Sequence, residues 1–162
     1  VKKIILGVFA MLVLLSPVAQ AQDQYMELMR QDLRTVKTEI VTQGMMMTGE
    51  ESKAFWPVYR EYQLELDKIW DARIALIGQY AEKYEMMDDE TADSIMKQAF
   101  DLRKKRAKLM ESNYKNMKKA VGAILAARFV QIDGVIQDLV NLQIAVELPL
   151  VMHTAPETTE GR

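Results

Sequence analysis

Few side chains in this sequence are equipped for chemistry. There is no Cys and one His among 162 residues, which excludes disulfide scaffolds, Cys/His zinc sites and Cys nucleophiles. His153 has no second His to share a metal and lies in a short polar tail. Carboxylates at helical spacing, Glu61/Glu65 and Asp67/Asp71, could act as acid/base pairs, but they sit in ordinary charged stripes with no Glu-x-x-His beside them. No P-loop, G-x-G-x-x-G or G-x-S-x-G string occurs. No catalytic residue and no cofactor is therefore assigned, and the chain is read as non-enzymatic.

Two other residue types stand out. Five of the 12 methionines fall at Met45-Met46-Met47 and Met86-Met87. Unbranched thioethers make an adaptable apolar surface for varied partners, and they also ligate Cu(I). The plainer reading is a hydrophobic staple ahead of a helix cap, which accounts for Met47 and Met87. Arg73 and Arg106 fall close to the apolar stripes of two long helices, where they either snorkel to water or line a groove suited to anions or peptide carboxylates. Met45, Met46, Met47, Met86, Met87, Arg73 and Arg106 are the candidate partner-binding residues.

The elements that must position these residues are all helical. Residues 1–21 read as a secretory signal: Lys2 and Lys3, an apolar run from Ile4 to Leu15, then Ala19-Gln20-Ala21 as the cleavage site. Val1 fits a GTG start codon translated literally. Cleavage there implies a periplasmic protein of a Gram-negative bacterium starting near Gln22. It would carry 19 basic and 23 acidic residues, a net charge of −4, which disfavours nucleic acid as a partner.

Met26, Met29, Leu33, Val36 and Ile40 form one apolar stripe that ends near Gly44. Thr48 with Glu51 makes a capping box for a helix running to about Glu85, with Phe55, Tyr59, Tyr62, Leu66, Ile69, Ile77, Tyr80 and Tyr84 along one face. Pro57 should kink that helix or mark a short first turn. Asp88 or Asp89 caps the next helix, to about Lys119, with Ile95, Ala99, Leu102, Leu109 or Met110, Tyr114 and Met117 facing inward. A last helix, 121–146, turns apolar on most sides, and Val135, Ile136, Leu139, Val140, Leu142 and Val146 are read as a dimer interface. Asp138 and Asn141 argue against stable membrane insertion. Pro149 stops the helix, and 151–162 reads as a disordered tail.

The expected fold is all-α: a long antiparallel helical hairpin with flanking helices, about four in all, in one domain over 22–150, with a homodimer expected from its excess apolar surface. Charge is uneven along it, net −6 over Glu50–Glu90 and net +7 over Lys97–Lys119, so the two long helices would either attract one another or present solvated faces.

The strings Met47-Thr48-Gly49-Glu50-Glu51 and Met87-Asp88-Asp89-Glu90-Thr91, forty residues apart at two helix starts, resemble the paired Leu-Thr-x-x-Gln motifs of the Spy/CpxP family of small periplasmic helical proteins, a family to which ZraP is related. Met replaces Leu in both strings. The runs Phe55-Trp56-Pro57-Val58-Tyr59 and Ala127-Arg128-Phe129-Val130-Gln131-Ile132 are also similar to a group of exported proteobacterial proteins with no assigned activity. The resemblance implies a dimeric envelope-stress protein that binds unfolded clients or envelope partner proteins. The alternative is copper handling or regulation of a sensor.

Overall fold

The computed structural model describes residues 34–151, and helices account for nearly all of them. The signal-like segment, Met26 to Leu33 and the tail including His153 lie outside the described residues. Contacts divide the chain into two compact units, one ending at Gln43 and one beginning at Gly44.

Helix α1 covers 34–45. In its first-unit part, Thr38 and Thr42 each donate a hydroxyl hydrogen bond to the carbonyl four residues back. Val36 and Ile40, expected on the inner stripe, are exposed, and Val41 is the buried residue.

Three structural features close the turn into the second unit. Gly44 allows close packing, because a Cβ there would lie 2.8 Å from Ile132 Cδ1. Met46 adopts a left-handed φ of 52°, a conformation that usually falls to Gly after a helix end. Arg128 holds the turn by donating to the Gly44 carbonyl and to Met46 Sδ.

Helix α2 then runs Gly49–Lys83. The Thr48 hydroxyl accepts from Glu51 N–H, and the Glu51 carboxylate accepts from Thr48 N–H at 2.8 Å. Each side chain satisfies a backbone group that a helix start leaves bare. Pro57 lies inside α2, exposed, and the helix continues past it. A 3-10 turn, Tyr84–Met86, follows. Asp88 then caps helix α3, Asp89–Glu147, by accepting from Thr91 N–H at 2.8 Å.

Helix α3 is broken at Gly122, whose φ of 84° and ψ of 168° are not helical and are accessible essentially to glycine alone. The break yields two arms, 89–121 and 123–147. Arg106 on the first arm bonds Asp133 and Gln137 on the second, 27 and 31 residues away, so the arms run antiparallel about Gly122. Gln98 reaches Gln79, which sets the first arm antiparallel to α2. From α2 to the second arm, the bonds Tyr62–Asp133, Arg73–Asn141, Tyr80–Pro149 and Tyr84–Leu150 keep a nearly constant separation of 66 to 71 residues. A constant offset means parallel helices. The second unit is therefore an up-down-up bundle of α2 and the two arms of α3.

Its tightest packing lies toward the Gly122 end. Phe129 meets Phe55, Tyr59 and Tyr62 edge to face, with ring centroids 5.6–5.8 Å apart, a geometry that complements the ring quadrupoles. Met45, Met117 and Ala126 are buried as well. The ion pairs Lys53–Glu50, Lys68–Glu65, Lys97–Asp93, Lys105–Asp101 and Lys115–Glu111 are all local, three or four residues apart and solvent-exposed. Much of the charge on the two long helices therefore serves as solvated surface.

Candidate functional site: an arginine-lined groove and an exposed apolar seam

Away from the aromatic cluster the three helices part around a groove of about 750 Å³. Both Arg73 and Arg106 line it, and Arg103 joins them. The second arm of α3 presents Asp133, Gln137 and Asn141 to the arginines, at intervals of four residues and hence on one helical face. Arg73 Nη1 donates to Asn141 Oδ1 at 2.8 Å, and Gln137 Nε2 donates to the same oxygen at 2.9 Å. Arg106 Nε donates to Gln137 Oε1 at 2.6 Å. Arg106 Nη2 reaches Asp133 Oδ2 at 2.7 Å, and the Tyr62 hydroxyl donates to that oxygen at 2.9 Å. One continuous polar chain thus links α2 to both arms of α3.

The two arginines singled out by sequence differ in role. Arg106 is paired with Asp133, with side-chain exposures of 18% and 1%. Burial works against the Arg106 charge, but the Tyr62 and Asp133 oxygens outweigh it and raise its pKa. Burial chiefly, with the Asp133 charge second, pushes the Tyr62 hydroxyl well above the usual tyrosine range. Arg73 is not paired with a carboxylate among the described residues, and neither is Arg103. Arg73 stacks over Trp70, 5.0 Å from the ring. Burial, and then the charges of Arg103 and Arg106, lower its pKa. Two guanidinium groups without carboxylate partners at an apolar groove can receive an anion.

Asp133 and Arg103 were not among the residues expected to matter. Asp133 sits in an apolar run and becomes intelligible only once Arg106, 27 residues earlier, is folded against it. Arg103 differs from Arg106 by three residues, so the i, i+3 relation alone placed it on the same face.

The methionine clusters do not form one surface. Met45–Met47 precede α2 and Met86–Met87 follow it, so the length of the helix, about 50 Å, separates them. Met45 is 1% exposed and belongs to the core, which removes it from any presented surface. Met46 is exposed, with its sulfur held by Arg128, and Met86 is 81% exposed. Met47 and Met87 are half-buried. Among the described residues no cluster of three His, Asp or Glu side chains gathers to hold a metal.

The residues read as an interface lie on the outer side of the second arm. Val135, Leu139, Leu142 and Val146 are 61–68% exposed, while Ile136 and Val140 are half-buried. Their spacing of four, three and four residues makes a seam about 170° around the helix from the Asp133, Gln137 and Asn141 face. The helix bearing it includes an 18-residue window of mean hydropathy 1.3, long and apolar enough to cross a membrane by composition, of which only 17% is buried. Comparison with family models, curated proteins and solved structures finds no match to the chain.

Proposed function

We propose that the protein is a non-enzymatic, periplasmic helical binding protein that holds unfolded or envelope partner proteins, in the manner of a chaperone. The observation carrying this reading is the Val135/Leu139/Leu142/Val146 seam, an exposed apolar stripe on a helix whose other side already packs into the bundle. Contiguous exposed apolar side chains at heptad-like spacing suit capture of an apolar segment of another chain or pairing with a second copy. The signal-like N-terminus supports the periplasmic address. The alternative is copper handling, which predicts a Cu(I) affinity that disappears when Met45, Met46 and Met47 become Leu.

The test is aggregation of an unfolding client monitored by light scattering with the purified chain near stoichiometry. Slower aggregation, lost on replacing Val135, Leu139, Leu142 and Val146 together by Asn, supports the reading. Unchanged aggregation with the native chain overturns it. Sedimentation equilibrium at micromolar concentration then separates a dimer using the seam from a monomer that leaves it open.

A further inference from the structure

We propose that the three-helix groove binds a single-chain amphiphile with an anionic head, the head on Arg73 and Arg103 and the hydrocarbon chain along the apolar walls toward Tyr80. Charge selects the head. The groove is lined by three arginines and two carboxylates; Asp133 is engaged by Arg106, Asp138 and Arg103 are both exposed at its edge, and Arg73, half-buried, bonds only the neutral Asn141, so the lining keeps a net positive charge centred on Arg73 and Arg103.

Shape and polarity select the tail. Beyond the arginines the walls are Leu76, Ile77, Ile95, Leu102, Ile144 and Leu148. Arg73 meets the second arm at Asn141 and Tyr80 meets it at Pro149, so the stretch left for the tail runs from Asn141 to Leu148, about 10 Å at the helical rise, with the chain's end emerging at the open side. Its volume and its few convergent polar groups match those of small-molecule sites. Between Asn141 and Glu147 the walls are helical with their backbone groups bonded internally, and the Pro149 carbonyl at the end is taken by the Tyr80 hydroxyl, so this stretch offers no backbone partners for the amides of an extended peptide. A hydrocarbon chain has no such groups to satisfy.

The inference rests on the groove alone, not on the client-binding seam, and failure of the aggregation assay leaves it standing. Isothermal titration of the chain with dodecanoate and with dodecyl phosphate, both below micelle-forming concentration, tests it. Saturable binding of either supports the proposal, and the tighter of the two identifies the head as carboxylate or phosphate. Between butyrate and octanoate each added methylene should tighten binding about three- to fourfold. Dodecanol should bind at least tenfold more weakly, as should dodecanoate to the Arg73→Gln/Arg103→Gln variant. Ala99→Leu, which adds bulk to the wall on the Tyr80 side of Arg103, should weaken dodecanoate binding at least tenfold while leaving the far-ultraviolet circular dichroism unchanged. The proposal is overturned if neither amphiphile binds, if dodecanol binds as well as dodecanoate, or if the double variant is unaffected. Equal binding of butyrate or inorganic phosphate would reveal a bare anion site, and capture by anionic phosphatidylglycerol vesicles alone would reveal a membrane surface; either result also overturns it.

Discussion

The Arg106–Asp133 pair makes a sharp prediction about stability. Asp133 is 1% exposed and its Oδ2 receives both Arg106 Nη2 and the Tyr62 hydroxyl. Replacing Arg106 by Met keeps the stem's packing but leaves a carboxylate in the core without its cation. Breaking a buried pair from one side costs about 3–5 kcal/mol. Arg106 is 18% exposed, so water moderates the loss and the lower end, about 3 kcal/mol, is expected. In a domain of this size that lowers the Tm by roughly 10 °C. Arg106→Met/Asp133→Leu removes both charges, and it should recover at least half of the loss, because an apolar pair leaves no uncompensated ion. Urea titrations followed by circular dichroism give the three free energies and the coupling between the sites. A cost below about 1 kcal/mol for Arg106→Met, or a double variant as unstable as the sum of the singles, would show that the pair is not the buried, coupled unit described.

Two glycines should respond in opposite directions to alanine. Gly122→Ala forces φ 84°, ψ 168° on a residue with a Cβ and should cost about 1–3 kcal/mol in chemical denaturation; Gly78→Ala, in mid-helix with open space at the Cβ position, should gain about 1 kcal/mol. Stability should also fall with acid. The Thr48 backbone and hydroxyl hold Glu51 below its ordinary 4.5, and Thr91 holds Asp88 below 3.8. A carboxylate with a depressed folded pKa stabilises the fold above its unfolded pKa, and that contribution disappears as pH drops through the folded value. Melting temperatures measured from pH 6 to pH 3 should fall, and Glu51→Gln should lower the plateau near pH 6 and flatten the slope.

The parts of the fold legible from sequence were those written in neighbouring residues. Thr48 with Glu51, and an acidic cap at Asp88 or Asp89, announce helix starts, because a cap is satisfied within three residues; the structure selects Asp88, bonded to Thr91 N–H. Phe55, Tyr59, Tyr62 and Leu66 repeat at helical spacing and are buried as that spacing implies. Features that depend on distant chain were hidden. Asp133 reads as an interruption of an apolar run until Arg106 meets it. Arg73 and Arg106 could be named as stripe-edge arginines, but the groove between them exists only because the three helices part beyond the aromatic cluster, and side-chain spacing along one helix carries no information about that gap.

The central claim, that the outer seam of the second arm of α3 receives other polypeptides, is tested most directly by photocrosslinking from a benzoyl-phenylalanine placed at Leu139 during client unfolding, with Leu64 as the control. Both positions are exposed, and Leu64 lies on α2 outside the seam. The account predicts abundant client or self crosslinks from position 139 and few from position 64; equal yields from the two, or none from 139, would contradict it.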